Sequence, residues 1–336
     1  MGRGLTRHRT TRNRLSTFVI TVASVLTVLA ISFIIIAAVS ASTANEMMSV
    51  EKKELANIPS NILPSYSATS FKSFDNQTNL SGWFFKTNNP ISTVIFVHDL
   101  ASNRMQFDVD TVDLIEDMLG AGYNVFLFDQ RNSGESEGDI SGYGYLEWQD
   151  VIGAIEHVRK ISVTTDVILY GVGTGCSSAL IAVDKLQEPG DFDEISDSAF
   201  KALAFDRSYV IGLILDSPAK NSDDYIEPLV REKGGLGMIT QYTVPYAIRI
   251  SAGESGNYNL SAIISRLQLP ICIFYGDKDT FIGASRISQI VDERKRLNPG
   301  TTSSGIFPNA GYTEAYASDP AGYRKELLDF LAVHFQ

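Results

Sequence analysis

Between Arg14 and Glu46 the chain carries no charge, and inside that gap lies "TFVITVASVLTVLAISFIIIAAV", Thr17 to Val39. As a helix at 1.5 Å per residue this stretch spans about 35 Å, enough for the ~30 Å hydrocarbon core of a bilayer. After it the pattern changes. Short apolar runs alternate with amphipathic stretches to the C-terminus. "YSATSFKS" and "LSGWFFKT" predict an antiparallel hairpin pair. "STVIFVHD", "YNVFLFDQ", "DVILYGV", "VIGLILDS", "PICIFYGD" and "SGIFPNA" follow, several of them continuously apolar, as parallel strands covered on both faces are. Between them Trp148, Ile152, Ile155 and Val158 make one helical stripe, and Leu327, Leu328, Leu331 and Phe335 make another. The alternation predicts an α/β domain with a mostly parallel eight-stranded sheet, helices on both faces and right-handed crossovers. Chemistry in such sheets collects at the carboxyl ends of the strands.

Charge decides how the N-terminal stretch is read. Residues 1–14 carry five arginines and no acid, whereas the net charge is −11, leaving −16 for the rest. An acidic body repels phosphate, so no nucleic-acid partner is expected. Arginines on one flank and the mixed Glu51, Lys52, Lys53 and Glu54 on the other place the N-terminus in the cytoplasm and the domain outside, at the cell surface in a bacterium. The competing reading is a cleaved signal peptide, with "VSA" at Val39–Ala41 as its site, but the apolar stretch is longer than the ~7–15 residues usual there. The expected layout is a basic head (1–14), a transmembrane signal anchor (15–41), a stalk (42–64) and one domain (65–336) with a helical cap at about 221–262. Cap residues Met238, Ile239, Tyr242, Tyr246 and Ile248 are expected to pack over a pocket. The acidic connection 187–208 is read as a solvated loop, the sharper reading being a partner-binding lobe.

Cys176 and Cys272 read as small buried hydrophobes rather than a disulfide framework. There is no metal constellation, phosphate loop or cofactor fingerprint, so neither metal nor cofactor is expected.

Five segments in order carry a resemblance. "VIFVHDLASNR", "GYNVFLFDQRNSGESEG", "DVILYGVGTGCSSAL", "LPICIFYGDKDTFIG" and "FPNAGYTEAYASDPAGYRKELLDFL" are similar to the conserved stations of the α/β-hydrolase superfamily, resembling its bacterial membrane-associated serine hydrolases of the S33-like, serine aminopeptidase-like group. The resemblance covers the chain from about Ser65 and implies a catalytic triad on an α/β-hydrolase fold.

At three stations the residues depart from it. The nucleophile turn needs small residues two before and two after its tip, and Gly171 and Gly175 satisfy that. The tip itself is Gly173, without a side chain. Asp279 in "GDKD" stands at the retained acid position. Tyr312 stands where the family carries the histidine that takes and returns the proton, a task for which a phenol of pKa near 10 is poorly matched. None of the four histidines fits that place: His8 is in the head, His157 and His334 are on helices, and His98 is in the oxyanion loop. That loop reads His98, Asp99, Leu100 where the family reads His-Gly and then an oxyanion-binding N–H, with Thr174 expected to supply the second N–H. Asp99 is read either as opposing negative charge in the hole or as pointing to solvent. The turn "DQRNSGES", Asp129 to Ser136, reads as structural.

The expected function is therefore a membrane-anchored, non-catalytic homologue that binds a small molecule or a protein at the old pocket. The alternative is an active esterase or peptidase with a rearranged site. It would use Ser177, Thr174 or Cys176 as nucleophile, with Asp279 or Tyr312 as base.

Overall fold

The structure is a computed structural model that describes residues 9–336 except 57, 60 and 191–197, with side chains from Ser16 onward. His8, the head up to residue 8, and the acidic core of the 187–208 connection at 191–197 thus lie outside the described residues.

Eight strands form one sheet in the order β1-β2-β4-β3-β5-β6-β7-β8. They are β1 (Tyr66–Lys72), β2 (Asn79–Phe85), β3 (Thr93–Val97), β4 (Asn124–Phe128), β5 (Val167–Val172), β6 (Val210–Asp216), β7 (Ile271–Gly276) and β8 (Thr302–Phe307). β2 runs antiparallel to β1 and β4, and the remaining pairs are parallel. Each strand overlaps a segment expected to be one, and the central strands β3 to β7 are apolar runs. In β3, Val94 and Phe96 enter one core while Ile95 and Val97 enter the other, so side chains of both parities are buried and the run shows no polar alternation.

The helices are α1 (Arg9–Met48), α2 (Thr111–Gly120), α3 (Trp148–Ile161), α4 (Thr174–Lys185), α5 (Ser198–Ala202), α6 (Glu227–Glu232), α7 (Gly237–Thr240), α8 (Val244–Ser251), α9 (Leu260–Arg266), α10 (Ala284–Leu297), α11 (Ala315–Ser318) and α12 (Pro320–Phe335). α3, α4 and α10 cover one face, α2 and α12 the other. The stripe on α3 is buried along its length; on α12, Leu327 and Leu331 are buried, with Phe330 beside them.

Two boundaries differ from expectation. The segment 42–64 is not a free stalk. α1 continues without a break to Met48, where Ala44, Met47 and Met48 join the core. Beyond it Asn132 Nδ2 donates to the Val50 carbonyl (3.0 Å), Asn103 Nδ2 donates to the Glu54 carbonyl (2.9 Å), and Leu55, Ile58 and Leu63 pack on the second core. The apolar residues hidden among polar ones supply the docking energy that a stalk lacks. Second, the cap comprises the turn at Ser222–Tyr225 and α6 to α8, and ends before 262. α9 instead packs on α4 and α10 as part of the sheet-covering layer.

Four cap residues expected to pack over a pocket do not. Ile248 is buried, but Met238, Ile239, Tyr242 and Tyr246 face outward, each more than half exposed. Periodicity shows that a face is apolar but cannot show which apolar face turns inward.

The N-terminal part of α1 has the properties of a membrane span: Ser16–Met48 is long and apolar enough to cross a bilayer, and every side chain from Ser16 to Ile35 is exposed. A signal sequence near an N-terminus has the same properties.

Candidate functional site

The site lies at the carboxyl edge of the sheet, where β5 turns sharply into α4. Gly173 makes that turn with φ 55°, ψ −122°, a positive-φ conformation that glycine adopts without penalty. Its N–H donates to the Asp216 carbonyl (2.9 Å), which ties the turn to the end of β6. The flanking glycines are needed for space. A Cβ at Gly175 would come under 3.0 Å from the Val97 and His98 carbonyl oxygens, and one at Gly171 would meet the backbone of Gly175 and Cys176. Close approach of α4 to β3 thus fixes Gly175, and the first turn of α4 folding back on the end of β5 fixes Gly171.

Asp99 defines the electrostatics of the tip. Its Oδ1 accepts the N–H of Leu100 (2.8 Å), the N–H of Thr174 (2.8 Å), the Thr174 hydroxyl (2.9 Å) and the Tyr312 hydroxyl (3.0 Å). One carboxylate oxygen thus gathers the two backbone donors expected to bind an oxyanion. Of the two sequence readings of Asp99, the solvent one does not hold, since the carboxylate turns inward onto these donors. Burial pushes its carboxyl up from the ordinary value, and the hydrogen bonds from Thr174, Leu100 and Tyr312 pull it back part of the way. Gln106 Oε1 accepts the Asp99 N–H (2.8 Å) and fixes the loop.

The space above Gly173 is therefore taken. A Cβ built on it would lie under 3.0 Å from the Asp99 carboxylate and from the Tyr312 hydroxyl. Tyr312 rests on Phe281 (centroids 4.6 Å apart) and near Tyr225 of the cap (6.3 Å). Burial first, and then the charge of Asp99, push its hydroxyl well above 10, so it stays protonated and donates. Sequence reasoning brought Gly173 and Tyr312 together, and the structure does so too.

Asp279 follows β7. Its Oδ1 accepts the N–H groups of Phe281 (2.8 Å) and Ile282 (2.9 Å), while its buried Oδ2 has no hydrogen-bond partner among the described residues. Burial pushes this carboxyl up, with the backbone donors opposing.

The alternative nucleophiles are each committed elsewhere. Ser177 is buried, its hydroxyl paired with Ser222 (2.9 Å). The Cys176 thiol is buried against the Gly171 and Asp216 carbonyls (3.2 Å each), and burial pushes it well above the ordinary thiol range, which suppresses the nucleophilic thiolate. The Thr174 hydroxyl is held by Asp99, as above. Cys272 is also buried.

The described histidines serve the scaffold. Buried His98 accepts the Gln130 N–H at Nε2 (3.0 Å), so Nδ1 carries the proton and donates to the Asp99 carbonyl (2.7 Å). Desolvation lowers its pKa and keeps it neutral. His157 stacks on Phe71, and His334 lies against Phe330. The turn at Asp129 is structural as read. Asp129 holds the buried Arg104 side chain (2.6 Å), and Arg131 is held by buried Asp150 (2.7 Å).

One cluster went unread. Asp216 ends β6 with no exposure; it accepts from Tyr323 (2.9 Å) and Ser217 (2.9 Å), and the Tyr323 hydroxyl meets that of Tyr170 (2.5 Å). The signal was available in "LILDS", an acid at the carboxyl end of an otherwise apolar strand. The cavities described lie away from the tip. One of about 430 Å³ is bounded by Phe71, Glu156 and His157, and another of about 480 Å³ by Arg207 and Arg266.

No family model matches the chain. It is 28% identical to the uncharacterized protein YfhR of Escherichia coli over 268 residues, 76% of each chain. It is 19% identical to the uncharacterized protein YqkD of Bacillus subtilis over 253 residues, 75% of each. Among solved structures, the esterase Pf2001 of Pyrococcus furiosus superposes with a TM-score of 0.64 at 18% identity, covering 86% of this chain and 99% of that one. The esterase RhEst1 of a Rhodococcus superposes at 0.52 with 15% identity, covering 80% and 99%. At such identities the likeness is one of architecture, and together with the strand order it establishes that this chain has the α/β-hydrolase fold.

Proposed function

We propose that this chain is a membrane-anchored relative of the bacterial S33-like serine hydrolases that has given up their reaction and acts by binding a small molecule or a protein at the mouth of the old pocket. The observation that carries this is the Asp99 carboxylate, seated on the Leu100 and Thr174 N–H groups above Gly173. Catalysis of acyl transfer needs those donors free for a developing oxyanion, a nucleophile beneath them and a base beside it. Here an internal anion occupies the donors and the tip has no nucleophile. The base position holds a phenol that donates its proton to that anion. The Asp279 Oδ2, without a partner among the described residues, is what an acid whose histidine partner has been replaced would show.

Anchoring through α1 is supported by its length, its exposed apolar surface and the packing that continues past Ala41. The Ser40 hydroxyl bonds Thr243 (2.6 Å) directly beside the candidate cleavage site. The five arginines ahead of the helix support a cytoplasmic N-terminus and an outward-facing domain.

A fluorophosphonate probe tests the loss of chemistry. The detergent-solubilised full chain is expected to show no stoichiometric labelling and no hydrolysis of a panel of short-chain esters. Labelling that maps to Ser177, Thr174 or Cys176 overturns the proposal and makes the protein a hydrolase with a rearranged site.

A further inference from the structure

The cap bears apolar surface that the described residues leave uncovered. Leu236, Met238, Ile239, Tyr242, Tyr246 and Ile250 are each 52% to 72% exposed. α8 shows how the surface arises. Val244 and Ile248 are buried in the core, while Tyr246 and Ile250, also four residues apart, face outward. A helix apolar on two faces calls for a second apolar environment. From Gly234 through Ile248 there is no charged residue, and the charges that flank this stretch are occupied. Lys233 pairs with Glu46 (2.8 Å), and Arg249 pairs with Asp223.

The position of this surface on α1 identifies what covers it. Ile36 is half-buried and Ser40, Ala44 and Met47 are buried, a single stripe on α1 that faces the cap. α7 and α8 contact α1, and the Ser40–Thr243 bond fixes the register. The uncharged stretch Thr17–Val39 is about 35 Å long, roughly 5 Å more than the hydrocarbon core. Its last turn, Ile36 to Val39, therefore reaches the headgroup region, and that is the turn where the cap's grip begins. We infer that the outer face of α7 and α8 docks on the lipid surface, with the Tyr242 and Tyr246 rings at headgroup level and Met238, Ile239 and Ile250 at the acyl boundary. The inference rests on reading α1 as a membrane span.

Nitroxide labels at Met238→Cys, Tyr246→Cys, Leu26→Cys and Val163→Cys, one at a time, test it in the full chain reconstituted in phosphatidylcholine vesicles. Cys176 and Cys272 are buried and stay unlabelled in the folded protein. Collision rates with oxygen and with an aqueous nickel complex report depth. The Leu26 label, on the exposed apolar part of α1, reports the span; the Val163 label, on an 83% exposed residue, is the aqueous reference. Docking gives oxygen-dominated collisions at 26 and, at 238 and 246, nickel collision rates several-fold below those at 163. Nickel access at 238 and 246 equal to that at 163, with 26 in hydrocarbon, overturns the docking and leaves the span standing. Nickel access at 26 removes the span and the docking with it. Shielding at 238 accompanied by spin–spin broadening that survives dilution in lipid assigns the face to a second copy of the chain and overturns a lipid partner.

Discussion

The double variant Gly173→Ser/Tyr312→His has esterase activity barely above background, and adding Asp99→Gly raises the rate by roughly 10²–10³-fold over it. The family resemblance alone would predict gain from the pair. The geometry does not. Any Cβ at 173 meets the Asp99 carboxylate and the atom Tyr312 places beside it. Exchanging Tyr312 removes its hydroxyl from that overlap, and the Asp99 contacts remain. Even if the serine is accommodated, Asp99 keeps the Leu100 and Thr174 N–H groups occupied, and its charge opposes the oxyanion that must form there. Gly173→Ser alone also adds a side chain at φ 55°, a strain of about 1–3 kcal/mol that only a well-determined surrounding tolerates. Asp99→Gly frees both donors and the space, and Asp279, which follows β7 at the same edge of the sheet, has an Oδ2 with no partner among the described residues. Initial rates on p-nitrophenyl acetate for the double and triple variants, each confirmed as folded by circular dichroism, decide the matter. Equal rates in the two would mean that Asp99 is not what blocks the site.

What the sequence revealed and what it hid follow from the range of the interactions involved. Strands buried on both faces announce themselves because nearly every position is apolar, as in β3, β4, β5 and β7. The turn at Gly173 was legible because backbone proximity forces glycine at 171 and 175 in fixed spacing. The role of Asp99 was not, because its partners come from three separate stretches: Leu100, Thr174 and Tyr312, the last 213 residues away. A local reading saw an acid in a loop and could offer only solvent or repulsion. The docking of residues 42–64 was hidden for a related reason. Ala44, Met47, Leu55 and Ile58 are scattered among polar neighbours, and only the surface they meet makes them core. The outward turn of Tyr242 and Tyr246 needed the position of α1, which lies some two hundred residues earlier in the chain.

Asp216 makes a contribution to stability that falls as pH rises from about 4 to about 7, and Asp216→Asn removes that contribution. Asp216 has no exposure at the end of β6, and burial pushes its carboxyl up to about 7. The hydrogen bonds from Tyr323 and Ser217 favour the charged form and hold the shift down; the nearby carboxylates of Asp99 and Asp279 raise it further. The sign follows from proton counting. The unfolded carboxyl titrates near 3.8, so between the two values the folded chain holds a proton that the unfolded chain has released. Folding is thus favoured at the acidic end of this window and progressively opposed towards neutrality, where the buried group must carry its charge. The slope approaches about 1.4 kcal/mol per pH unit, or about 4 kcal/mol across the window. Asparagine keeps the shape and the acceptor for Tyr323 without a charge to bury. It also lets Asp99 and Asp279 ionise more readily, which lowers the pH slope in the same direction. The comparison is the difference in thermal unfolding between wild type and Asp216→Asn in detergent at pH 4.5 and pH 8, since taking the difference cancels contributions such as that of Asp150, which burial pushes up to about 6. The variant should gain on the wild type by several degrees between the two conditions. A difference that stays constant with pH would mean that Asp216 carries the same charge throughout, its neighbours having already met the cost of burying it.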